Sequence, residues 1–124
     1  MANVEISLKE IMTRVEGSLA AAVGDYTSGM ALGSLGGGRD FDVHVAVAGN
    51  TDVIRAKLHT MELLGLQEQI DDILITLGNQ YHLITLGKGR GKTNLFLYLV
   101  LDKHKANLAM ARHQLRRVEE EMEV

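Results

Sequence analysis

The chain contains no cysteine, no proline and no tryptophan. Without cysteine there is no disulfide, no thiolate zinc site and no thiol nucleophile, a composition that fits a reducing compartment. Without proline, breaks between elements have to be read from glycines and from changes in hydrophobic period. Aromatic residues are scarce, at 4%, which leaves few stacking platforms for a nucleic acid strand. Basic charge is not in excess either. Thirteen Lys and Arg against sixteen Asp and Glu give a net charge of −3, so the overall field makes no case for wrapping nucleic acid or an anionic membrane. Long apolar runs are missing as well. The longest stretch free of Asp, Glu, Lys and Arg runs from Ile73 to Gly87 and holds Asn79, Gln80 and His82. It is shorter than the roughly 20 residues a membrane span needs. Glu5, Lys9 and Glu10 interrupt the N-terminus before any apolar signal-peptide core, and Ala2 stands where N-myristoylation requires glycine. A cytoplasmic protein without membrane insertion is the expectation.

What is present is ordinary globular material: 124 residues, 46% hydrophobic and 23% charged, a length that suits one domain spanning 1–124. Ser7-Leu8-Lys9-Glu10 has the form of a capping box. Leu8, Ile11, Met12 and Val15 follow at helical spacing, and Gly17 marks the expected end of that first helix. Leu19, Ala21 and Val23 alternate, Asp25 to Gly29 supplies turn chemistry, and Met30 to Leu35 returns as a second apolar run, which predicts a β-hairpin. Gly36-Gly37-Gly38 breaks the chain. Asp40 offers a cap for a long amphipathic helix whose Val43, Val47, Ile54, Leu58 and Met61 fall within about 60° of one another, with Gly65 as its stop. Ile70 to Leu77, Gln80 to Leu86 and Leu95 to Leu101 read as three strands of an antiparallel meander. Leu108, Ala111, Leu115, Val118 and Met122 mark a closing helix. Its Glu119, Glu120, Glu121 and Glu123 oppose the helix dipole, so the last turn is expected to fray into solvent. The order α-β-β-α-β-β-β-α is an α+β fold, one antiparallel sheet with helices packed on its faces.

Patterns that would carry catalysis fall short. Gly87-Lys88-Gly89-Arg90-Gly91-Lys92-Thr93 misses phosphate-loop spacing by one residue, since the first glycine would have to stand at Leu86, and the loop joins two strands where the motif needs a helix N-terminus. It is still a local excess of three positive charges, Lys88, Arg90 and Lys92, and faces a local excess of acid at Glu68, Asp71 and Asp72. Asp40, Asp42 and His44 would share a face only in an extended segment; at a helix start, Asp40 and His44 become a cap and first-turn pair. No His-x-x-x-His spacing is present, and Ser34 misses the Gly-x-Ser-x-Gly elbow. No enzyme, no cofactor and no metal are expected.

Several stretches resemble the roadblock/dynein light chain family. Glu16-Gly17-Ser18-Leu19-Ala20-Ala21-Ala22-Val23, then Asp25 to Gly29 and Met30-Ala31-Leu32, are similar to that family's opening hairpin. Leu64-Gly65-Leu66 is similar to its exit from the long helix, and Asn107 to Arg112, after Leu101-Asp102, to the start of its last helix. The Gly33 to Gly38 break and the basic 87–93 loop do not map onto the family pattern. The resemblance implies five strands in the spatial order 2-1-5-4-3, the long helix on one face and the terminal helices on the other. It also implies a homodimer through the long helix and the third strand, and, for bacterial members, a Ras-like small GTPase as partner.

On that reading the dimer interface is the edge strand Asp71, Asp72, Ile73, Leu74, Ile75 and Thr76, with the helix flank Ala46, Asn50, Val53 and Lys57. An isologous contact would cap both bare edges at once. Asp52, Arg55, His59 and Glu62, about 80° to 160° from the centre of the apolar stripe, are the partner-binding candidates, with Lys88, Arg90 and Lys92 of the basic loop. The alternative is a small-molecule sensor on a related antiparallel sheet, which would need an interior cavity with a few convergent polar groups.

Overall fold

The computed structural model describes residues 2–124. Helix α1 (Val4–Arg14) leads into strands β1 (Ser18–Asp25) and β2 (Met30–Gly36). The long helix α2 (Val43–Leu63) follows, then β3 (Asp72–Thr76), β4 (Gln80–Leu86), β5 (Leu95–Asp102) and α3 (Leu108–Glu121). The five strands form one antiparallel sheet in the order β2-β1-β5-β4-β3. The element order, the strand order and the α+β class are those expected.

Both faces of the sheet are covered, which is why β1 and β5 carry nearly continuous apolar sequence rather than an alternation. Ala21, Val23, Leu83, Leu97, Leu99 and Leu101 point to the side of α1 and α3, where they meet Leu8, Ile11, Val15, Ala111, Leu115, Val118 and Met122. Ala20, Ala22, Ile84, Leu86, Phe96, Tyr98 and Val100 point to the other side, where α2 contributes Val47 and Ile54. The α2 stripe read from periodicity is the packed one: Val47, Ile54 and Met61 are buried, Val43 and Leu58 half-buried.

Several boundaries differ from expectation for local reasons. The capping box at Ser7 does not form. Asn3 caps α1 by accepting from the Ile6 backbone N–H at 2.9 Å, and Ser7 lies inside the helix, fully buried, its hydroxyl without a partner. Helix α1 stops at Arg14, three residues before Gly17, whose positive φ of 86° instead makes the turn into β1. A Cβ at Gly17 would come within 3.0 Å of the Ala106 backbone nitrogen. The cap of α2 is Asp42 rather than Asp40, its carboxylate accepting from His44 N–H at 3.0 Å and Val45 N–H at 3.2 Å. Leu19 leaves the expected alternation at a register shift between Ser18 and Ala20, and is 40% exposed.

The end of α3 is a larger correction. It does not fray: Met122 caps the helix and is 2% exposed, and it bridges to Ala2, so that the two ends of the described chain lie together. Glu120, Glu121 and Glu123 are exposed as expected, but Glu119 is buried. Lys92 meets it at 2.9 Å, and the Lys88 backbone N–H donates to its other carboxylate oxygen at 2.7 Å. One acid thus ties the β4–β5 loop to α3.

Candidate interaction site

The two edges of the sheet are β2 and β3. Strand β3 pairs on one side only, with Ile73 opposite Ile84, Leu74 opposite Leu83 and Ile75 opposite His82, so the backbone groups on its other side form a bare edge. Leu74 packs into the core under α1 and α3, whereas Ile73 lies on the α2 face. Helix α2, however, lies over β1 and β2. Ile73 is therefore left half-buried at the margin of the α2-face core, and Ile75 half-exposed beyond it.

The flank of α2 carries Ala46, Asn50 and Val53, all half-buried, and Lys57, exposed. The far side carries Asp52, Arg55, His59 and Glu62, all exposed. Arg55 is not a free surface charge. Its Nε donates to the Tyr26 carbonyl at 2.8 Å and its guanidinium also reaches the Thr27 carbonyl, fastening α2 to the β1–β2 turn.

The basic loop is likewise partly committed within the fold. Lys88 pairs with Asp71, and that contact, chiefly the hydrogen bond, lowers the Asp71 carboxyl below the usual carboxylate range. Lys92, expected as an exposed partner contact, is a correction: it is 8% exposed and held on Glu119. Asp72 reaches inward to Arg112 of α3 at 3.1 Å. Arg90 and Lys88 stay exposed.

A polar cluster on the α2 face was not visible in the sequence. His82 Nε2 lies 2.9 Å from Gln80 Oε1 and Nδ1 lies 2.9 Å from the Tyr98 hydroxyl. Since the amide oxygen only accepts, Nε2 donates to Gln80, and Nδ1 shares a hydrogen bond with the Tyr98 hydroxyl. Burial lowers the His82 pKa and raises that of Tyr98, a hydrogen bond from Asn50 opposing the latter. Phe41 stacks on Tyr98 with centroids 6.5 Å apart, and Gly37 lies so close beneath that a Cβ would meet the Phe41 ring at 2.5 Å. The triple-glycine break thus lets Phe41 close over the sheet. An open cleft of about 360 Å3 remains between Gly37-Gly38-Phe41 and Gln80-His82. Period-two spacing does put Gln80 and His82 on one face, but only the β4–β5 register, pairing His82 with Val100, brings Tyr98 to them.

The sequence matches no protein-family model and no curated protein. Solved structures do match it. The Roadblock/LC7 domain from Streptomyces avermitilis superposes with a TM-score of 0.80 at 10% identity, covering 96% of this chain and 93% of that one. This is the roadblock fold. Myxococcus xanthus MglB matches with a TM-score of 0.75 at 12% identity, over 92% of this chain and 83% of that one. MglC from the same organism gives 0.60 at 18% identity, over 94% and 92%. At such identities the likeness carries the roadblock architecture and no side-chain role. Among the described residues no three His, Asp or Glu are gathered as for a metal, and no helix is long and apolar enough to cross a membrane.

Proposed function

We propose that residues 1–124 form a non-catalytic, homodimeric interaction module that regulates or scaffolds a Ras-like small GTPase. The observation that carries the reading is the half-covered α2 face: a bare edge at β3, with Ile73 and Ile75 half-exposed beside it. Two copies joined antiparallel along β3 are related by a two-fold axis normal to the sheet, so both α2 helices fall on the same side of a continuous ten-stranded sheet. The open strips of the two copies then merge into one trough with an α2 helix along each side, and Ala46, Asn50 and Val53 would face it. Such a contact is isologous and closes on itself. Leu63, Leu64 and Leu66, at 74%, 66% and 46% exposure, are large apolar groups close together at and after the end of α2, of the kind that marks a protein contact when clustered.

The GTPase would be received on the outer side of the paired helices by Asp52, His59 and Glu62, with Arg90 and Lys88 as the second candidate surface; exposed mixed charge suits a reversible contact. Sedimentation of the purified chain at micromolar concentration is expected to give a dimer that Ile73→Asp with Val53→Asp converts to folded monomer. A monomeric parent chain, or a dimer untouched by both changes, would overturn the assembly. For the partner, Asp52→Lys with Glu62→Lys should leave the dimer intact and weaken capture of a Ras-like GTPase encoded beside it, with a loss that depends on salt. Unchanged capture removes this ridge.

A further inference from the structure

We propose that strand β2 is a second contact between copies of this chain: two β2 edges pair antiparallel about a two-fold axis at Ser34. The contact is separate from the β3 joint of the preceding subsection. Where both form, dimers are linked end to end into a longer sheet.

Strand β2 pairs with β1 alone, so its far side is as bare as that of β3. The two edges are defended differently. Strand β3 opens on Asp72, with Asp71 just before it. Strand β2, Met-Ala-Leu-Gly-Ser-Leu-Gly, has no charged residue and no proline, the devices that keep an edge from pairing with another chain. Its one irregularity is a register shift that leaves Leu32 without a partner on β1. Beyond that shift Gly33 to Gly36 run in register opposite Val23 to Ala20, and the small Gly33, Ser34 and Gly36 let a second backbone approach.

The occupant is a second copy because this edge carries both halves of an apolar contact. Met30 and Leu32 stand out from it, 67% and 43% exposed. Along the same strand a cleft of about 590 Å3 opens toward α1, with Val4, Leu8, Leu32 and Leu35 as its apolar wall. Antiparallel pairing about Ser34 lays Leu32 of each copy beside Leu35 of the other, at the mouth of its cleft, an isologous contact. Charge does not oppose it: Glu5, on the cleft, already pairs with Lys9 at 3.2 Å, and Glu123 is exposed at the rim. The helices fit as well. Helix α1 lies over β1 and β2, so close that a Cβ at Gly33 would come within 3.1 Å of Val4 and 3.2 Å of Leu8. Two α1 helices facing each other across the joint would stand about 10 Å apart, twice the strand spacing, at the upper end of helix packing distances. Helix α2 covers the same two strands on the other face. Asp52 lies on its flank toward β2, the side from which Arg55 reaches the β1–β2 turn, so GTPase capture through Asp52 and assembly through β2 would compete.

Because the chain has no cysteine, Ser34→Cys reports the joint directly. At concentrations well above micromolar and under mild oxidation, the full chain with Ser34→Cys is expected to give several-fold more covalent dimer than Thr13→Cys, an exposed position on α1. Ile73→Asp with Val53→Asp, placed in the same chain, should leave that cross-link in place, since β3 takes no part in it. Sedimentation velocity supplies a readout without cysteine: over the same concentrations the parent chain should form species larger than a dimer, and Leu32→Lys, at an exposed position that the fold tolerates, should abolish them without moving the urea midpoint. Ser34→Cys that cross-links no more than Thr13→Cys, or larger species that survive Leu32→Lys, would overturn the β2 joint and leave the β3 dimer standing. A parent chain that stops at a dimer, cross-links through Ser34→Cys and becomes monomeric with Leu32→Lys would support the β2 joint and overturn the β3 one.

Discussion

The two faces of the sheet are built to different standards of completeness. Under α1 and α3 the strands present Leu83, Leu97, Leu99 and Leu101, and the helices answer with Leu8, Ile11, Val15, Leu115, Val118 and Met122, all buried. The far end of this layer is sealed by the buried pair of Lys92 and Glu119. On the other face the strands offer the small Ala20 and Ala22, a polar cluster at Gln80, His82 and Tyr98, and the half-exposed Ile73 and Ile75. One face is finished by a single chain. The other is shaped for contact with something outside it, and the same sheet can do both because successive residues of a strand point to opposite sides.

The comparison is broken most forcefully from the finished side. Leu115 is fully buried between α3 and the sheet, and Leu115→Ala should remove about 4 kcal/mol of unfolding free energy, the transfer of three carbons plus the cavity left behind. Because that core is internal to one chain, the loss measured by urea unfolding should be independent of protein concentration. Ile73→Ala should instead cost the isolated protomer little and show its effect chiefly in the concentration dependence of the midpoint. Equal, concentration-independent losses at the two sites would erase the distinction between the faces.

How far this asymmetry could be read from the sequence depends on which contacts set it. Periodicity was enough for the α2 stripe, for β4 from Gln80 to Leu86 and for the packed side of α3, because a helix or strand repeats its buried positions at a fixed interval. The caps at Asn3 and Asp42 were misplaced by a few residues, since Ser7 and Asp40 have the right chemistry and only packing decides which backbone turns first. The pairing of Lys92 with Glu119 joins positions far apart in the chain, and a run of glutamates carries no mark of which one faces inward. The cluster around His82 was hidden for the same reason: it depends on register between β4 and β5, which hydrophobic pattern specifies poorly when both strands are apolar on both sides.

The seal itself gives the next effect in size. Removing one member of a buried pair leaves the other charged in a dry site, and Glu119→Leu is expected to cost about 3 kcal/mol, the low end of such losses because the Lys92 side chain keeps 10% of its exposure and can turn toward water. The same change frees the Lys88 N–H. Adding Lys92→Met should recover most of the loss, since two well-packed apolar side chains replace two desolvated charges. If Glu119→Leu unfolds at the parent's urea midpoint, the pair does not close the layer, and the end of α3 is as loose as its sequence suggested.

The smallest effect belongs to the open face, where Arg55 decides how firmly α2 is held. Its two donors fix the helix to the carbonyls of Tyr26 and Thr27, in a turn already organised by Asp25, whose carboxylate accepts from the Thr27 hydroxyl and backbone N–H. The group is exposed, so Arg55→Ala should cost only about 1 kcal/mol. Arg55→Lys should lose most of that too, because a single ammonium cannot reproduce the fork that serves two adjacent carbonyls. The sensitive measurement is amide exchange. Protection at Gly29, whose N–H donates to the Asp25 carbonyl at 2.7 Å, should fall with either change, while protection in β4 and β5 stays at the parent's level. Unaltered exchange at the turn would mean that α2 is seated by Val47 and Ile54 alone. Arg55 would then be free to serve as a partner contact beside Asp52, His59 and Glu62, and charge reversal there would weaken GTPase capture without touching the hairpin.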